Sequence, residues 1–197
     1  MITDVIDHLA GITPGSPLDQ LRDRRPGARE HAQRSFDALF SPDSEGEVTL
    51  VERDAVAAFV TGLHRDGRVA AFYAYRLAAL APGLLTAVET EIKEGRTTGP
   101  YGIYPADGPL AAESDEGLRY RVSDPDALGA RLTAAFEHAH LLVFRPREAS
   151  RQALDALSLA GWTTTGIVTL SQLVAFLSFQ VRVVTGLRLL NQKGSAA

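Results

Sequence analysis

No cysteine occurs among the 197 residues. That absence removes disulfides, thiolate metal sites and thiol redox chemistry together. A basic surplus is missing too: the formal net charge is −4, and no Lys/Arg cluster supplies the footprint of a nucleic-acid binder. The chain has no P-loop, no dinucleotide fingerprint after a strand, no G-x-S-x-G and no H-E-x-x-H. The opening MITDVIDHLAGITPG lacks a basic n-region and a long apolar h-region, so no secretory signal is read and a cytoplasmic location is expected. No segment alternates in the manner of a strand.

What remains is a chain that is 45% hydrophobic and 22% charged, ordinary for a globular protein. Its length suits one domain spanning 1–197, with a core that needs no staples. The longest apolar stretch, Ala160 to Leu190, holds Thr169, Ser171, Gln172, Ser178, Gln180 and Arg182 within it. A membrane span needs about 20 predominantly apolar residues, and this run is interrupted sooner. It therefore reads as the central, mostly buried helix of an all-α domain, with no membrane partner expected. Arg182 on a buried helix calls for an acidic partner, so an ion pair is expected there.

Helix punctuation is frequent. A short helix is predicted from Thr3 to Ala10, closed by Gly11. Ser16-Pro17-Leu18-Asp19 starts a second, which stops near Arg25. A third runs from Ala28 to Phe40. Thr49-Leu50-Val51-Glu52 is a capping box for a helix through Leu63, and Asp66 can cap the next, from Arg68 to Ala81. Others are expected over Gly83–Lys93, Asp126–Phe144 and Ala149–Ala160, and a threonine among 163–165 caps the last. The total is about eight or nine helices. Between the two helical halves, 96–117 is a long Gly/Pro-rich loop whose Tyr101, Ile103 and Tyr104 suggest that it packs on something.

Two blocks carry a resemblance. V-E-R-D-A-V-A-A-F-V-T-G-L-H-R-D-G-R-V-A-A-F-Y-A-Y-R-L is similar to the motif helices of the alkylhydroperoxidase D and carboxymuconolactone decarboxylase superfamily. The ending A-G-W-T-T-T-G-I-V-T-L-S-Q-L-V-A-F-L-S-F-Q-V-R-V-V-T-G-L looks like the closing segment of its peroxidase-related members. The resemblance implies an alkylhydroperoxidase-D-like helical bundle, a family-level antioxidant or peroxidase-related role, and homo-oligomers. The redox branch places a glutamate before a C-x-x-C pair, with a histidine one turn later. Aligned on Asp54, the cysteine positions hold Asp66 and Val69 and the histidine position Tyr73; aligned on Glu52, they hold His64, Gly67 and Ala71. Both registers stay open, and neither contains a thiol.

Thiol peroxidase chemistry is thus closed to this chain alone, and a cysteine-bearing relative is one candidate partner. The decarboxylase branch manages without the cysteines, which leaves Glu52, Asp54, His64, Asp66, Tyr73 and Tyr75 as the polar candidates. A histidine near a helix start, beside carboxylates, can act as a general base on a small carboxylate or lactone. The plainer reading makes Asp66 an N-cap, Glu52 part of a capping box, and His64 a partner of the preceding helix's carbonyls. A third reading is an apolar-ligand-binding protein with the 96–117 loop as lid. His138 and His140, two apart on a helix, point to different faces and cannot share a metal, so one half-buried and one solvated histidine are expected. No metal or cofactor is expected.

Overall fold

Proline opens four of the α-helices among the described residues, at Pro17, Pro26, Pro82 and Pro125, where its missing N–H would have no intrahelical partner. The structure, a computed structural model, describes residues 2–194. In chain order the helices are α1 (Val5–Ala10), α2 (Pro17–Asp23), α3 (Pro26–Phe40), α4 (Leu50–Leu63), α5 (Gly67–Leu80), α6 (Pro82–Gly95), α7 (Pro125–Phe144), α8 (Arg151–Leu159) and α9 (Thr164–Gly194). The all-α class and the long C-terminal helix follow the sequence closely. The starts of α3 and α6 move back to Pro26 and Pro82, because each proline also takes the first position of the following helix; the preceding α2 and α5 end ahead of them, at Asp23 and Leu80.

The helix at the centre is α4, not α9. Every residue from Arg53 to Leu63 is buried, and α4 packs against α5, α6, α7 and α9. A helix apolar all round belongs inside, and its small residues let neighbours close in. A Cβ added at Gly62 would lie 2.6 Å from Cδ1 of Ile92 on α6. Around α4, Phe59 stacks on Phe136 of α7 at 4.3 Å, while Phe40 meets Tyr73 of α5 at 5.1 Å.

α9 is buried along one stripe, including Leu170, Leu173, Leu177, Gln180 and Val184. Its other face exposes Val168, Phe179, Leu189 and Leu190. Length and composition alone would let Thr164–Gln192 cross a membrane, and 39% of its most apolar window is buried within the fold. The polar interruptions read from the sequence therefore do not by themselves set this helix apart from a membrane span.

The irregular segment 96–124 is stitched down rather than loose. The Tyr101 amide donates to the Phe144 carbonyl at 2.6 Å, Gly102 and Asp115 form an isolated antiparallel bridge, and Arg147 stacks over Tyr104 at 4.4 Å. Gly117 (φ 55) is pressed on Tyr101, where an added Cβ would come within 2.1 Å, so only glycine fits. In α7, Gly129 (φ 75) breaks the helical path after the first turn.

Candidate functional site

The α4–α5 junction holds the residues singled out by the sequence. Thr49 and Glu52 form the capping box: each side chain accepts from the other's amide, at 3.2 and 2.9 Å. The second oxygen of Glu52 takes Arg131 Nε at 2.7 Å, and that guanidinium lies 4.4 Å from the Trp162 ring centroid. Burial pushes the Glu52 carboxyl upward, but the bonds from Arg131 and Thr49 outweigh it and hold the pKa below the ordinary value.

Asp54 is fully buried and binds Arg76 through both oxygens, at 2.7 and 3.2 Å. Burial raises its pKa against the opposing pull of Arg76. Asp66 caps α5, accepting from the Arg68 and Val69 amides at 3.1 and 3.2 Å; Thr185 Oγ1 on α9 donates to its other oxygen at 2.9 Å. His64 Nε2 lies 3.2 Å from Ser178 Oγ. Burial, and then the charge of Arg182, push the imidazole down to about 4, so it is neutral at pH 7. Tyr73 donates to Gln180 Oε1 at 2.7 Å, and burial drives its phenol upward. Tyr75 is 77% exposed.

Each candidate is thus tied to a different partner. Among the described residues, no hydrogen bond or ion pair joins any two of Glu52, Asp54, His64, Asp66 and Tyr73. His64 and Asp66 both reach α9, at Ser178 and Thr185, rather than each other. Two other expectations need correction. Arg182 is exposed, and its Nη1 donates to the Ser178 carbonyl at 2.8 Å instead of meeting an acid, because it sits on the outer face of α9. His138 and His140 are both buried, at 5% and 2% exposure, because α7 is covered by α9 on one side and by the end of the 96–124 segment on another.

A second polar cluster was not visible as such in the sequence. A cavity of about 430 Å³ lies between α7, α8 and residues 119–121. Its wall is built from Glu91 outward. That buried carboxylate accepts from the Tyr120 hydroxyl, the Ser123 amide (2.9 Å), the Ser123 hydroxyl (2.6 Å) and the Asp124 amide (3.1 Å). Burial works against its charge, but these donors win and keep its pKa low, while burial and the Glu91 charge raise that of Tyr120. The Tyr120 ring also stacks on His140 at 4.8 Å, and His140 Nε2 bonds the Gly95 carbonyl at 2.9 Å. With Tyr120 pinned inward, Arg119 and Arg121 fall on the outside, the alternation expected of an extended segment.

Arg145, at the C-terminal end of α7 and only 6% exposed, adds a third guanidinium. It pairs with Glu148, which Arg119 also approaches at 3.5 Å; Arg121 pairs with Glu137. Three guanidiniums against two carboxylates leave one net positive charge on this lining. His138 lines the same cavity. Its Nδ1 is buried without a partner, its Nε2 is 3.5 Å from Ser171 Oγ, and burial lowers its pKa. The R-Y-R run at the end of the loop, with Arg145 five residues after His140, is the signal that marks this site in retrospect.

In comparisons with known proteins, the chain matches no family model and no curated protein. The fold and the pocket define it as an all-α protein with an arginine-lined cavity.

Proposed function

We propose that the protein binds a small anion, of the carboxylate or phosphate class, in the cavity between α7, α8 and 119–121. The supporting observation is the convergence of Arg119, Arg121 and Arg145 on one cavity whose lining holds two carboxylates, while the ionised Glu91 behind Tyr120 is taken up by its own four donors. A guanidinium fork matches carboxylate and phosphate oxygens, and a largely desolvated one such as Arg145 gains most from an anionic partner. The volume falls within the range of small-molecule sites. The α8 N-terminus, capped by Ser150 through a long 3.4 Å bond, adds a favourable dipole.

A second reading is favoured by His138. The ring lines the arginine cavity and is neutral at pH 7; its unpartnered Nδ1 is closed off from solvent, so a turn of the ring toward a bound carboxylate is what would let it transfer a proton. This keeps the acid–base chemistry suggested by the decarboxylase branch and moves it from His64 to α7. The resemblance to the alkylhydroperoxidase-like superfamily then concerns the scaffold, since a chain without cysteine has no thiol to cycle. Neither reading needs an oligomer or a cysteine-bearing partner.

Calorimetric titration with phosphate and succinate tests the proposal. Arg119 and Arg121 side chains are 62% and 81% exposed, so the Arg119→Ala/Arg121→Ala variant folds normally. It should bind about tenfold more weakly for each charged hydrogen bond lost. Unchanged binding in that variant would remove the basis for the site. Turnover of a cumene-type hydroperoxide with an external thiol, above a heat-killed control, would restore a peroxidase role.

A further inference from the structure

A second concavity, of about 350 Å³, lies where α2 and α3 meet α9, and its chemistry is different. Ile6, Ala32, Phe179, Val183 and Leu187 make its apolar lining, with Leu21 half-exposed among them. Every charged side chain that borders it is an arginine. Arg22 and Arg29 are already committed, to Asp4 and Asp7, and Arg29 also to Asp19 and Asp23. Arg24 and Arg25, in the turn between α2 and α3, are exposed, and among the described residues neither side chain makes a hydrogen bond or ion pair. An apolar trough is therefore bordered by two uncompensated guanidiniums.

We infer that this groove holds the alkyl chain of a free aliphatic monocarboxylate, with its carboxylate on Arg24 and Arg25. The apolar lining accepts methylenes, and the bare guanidiniums select an anionic head over a neutral or cationic one. A single alkyl chain has the slender shape that such a space admits. This site shares no lining residue with the α7–α8 cavity.

The test is a calorimetric series of hexanoate, octanoate, decanoate and laurate with the full chain, each below its micellar concentration. Affinity should tighten about fourfold per added methylene until the groove is filled. Decyltrimethylammonium should not compete with decanoate. Arg24→Ala/Arg25→Ala should weaken decanoate about tenfold or more with an unchanged melting temperature. Phe179→Ser, at a position 46% exposed, should flatten the dependence on chain length. Arg119→Ala/Arg121→Ala should leave laurate binding as it was.

Four outcomes of the series itself would overturn the inference, and a fifth comes from the variant of the other cavity. They are equal affinity across the series, equal binding of the ammonium amphiphile, binding to anionic phospholipid vesicles but not to free laurate, and sedimentation showing a second copy on this face that Phe179→Ser dissociates. Loss of laurate binding in Arg119→Ala/Arg121→Ala alone would place the ligand in the other cavity and overturn it as well.

Discussion

The α4–α5 junction and the α7–α8 face both hold polar groups away from water, but they are completed to different degrees. At the junction the five candidates each have a protein partner: Arg131 for Glu52, Arg76 for Asp54, Ser178 for His64, Thr185 for Asp66 and Gln180 for Tyr73. A buried nitrogen lacks a partner in both regions, Gln180 Nε2 at the junction and His138 Nδ1 on the α7–α8 face, but only His138 belongs to a residue lining the arginine cavity, where guanidiniums outnumber the carboxylates of the lining. Polar groups that satisfy one another hold helices in place. A surplus beside a cavity is where an outside molecule finds complementary chemistry. The residues that attract notice in the sequence are, in this protein, the fasteners.

The comparison breaks most sharply at Asp54. Asp54→Ala strands the Arg76 guanidinium and should cost about 3–5 kcal/mol in urea unfolding. The folded fraction should still bind phosphate normally. If stability barely moved and anion binding vanished, the roles of the two regions would be reversed. Glu91→Ala should cost about 3 kcal/mol, because it strands the Tyr120, Ser123 and Asp124 donors. Unlike Asp54→Ala, it should also weaken phosphate, since Tyr120 holds Arg119 and Arg121 in place.

Acid titration sharpens the contrast, because each region contains one strongly shifted histidine. His64 and His140 fall from 6.5 to about 4, both by burial, with Arg182 and Arg145 adding to the shift. Between those values the unfolded chain binds more protons than the folded one. Their contribution to stability is therefore complete above about pH 6.5 and should fall by about 2.7 kcal/mol per unit as pH drops toward 4, with His138, which burial also lowers, adding to the loss. His64→Gln should remove about 1.4 kcal/mol per unit and leave the part due to His140 and His138. Saturating sulfate should flatten that remaining slope, which belongs to the pocket; a slope indifferent to sulfate would detach His140 from the anion site. The smallest effect is expected from Thr49→Ala, which removes a cap worth about 1 kcal/mol in thermal unfolding and should leave anion affinity untouched.

The helices were legible because their signals are local. Thr49 with Glu52, Ser16 before Pro17, and Asp66 before α5 are read within a few residues, and the caps form as those spacings require. The central position of α4 was less legible than the long run of α9, although its alanines and Gly62 make close packing on all sides possible. The pocket was not legible. Arg119 and Arg145 are 26 positions apart in number, and they meet only because Glu91, on α6, anchors Tyr120 between the two loop arginines. No periodicity encodes such a convergence. Arg53 gives the same lesson: it is buried at 6% exposure and satisfied by the Val48, Leu39 and Glu45 carbonyls, partners that no charge pattern announces.

The most direct test follows the histidine rings by two-dimensional proton–nitrogen NMR during a phosphate titration at pH 7. If the anion binds between α7 and α8, the His138 ring nitrogens shift and its pKa rises, because a nearby negative charge favours the imidazolium. His64 stays still. Movement of His64 with His138 unchanged would return the site to the α4–α5 junction and contradict the account.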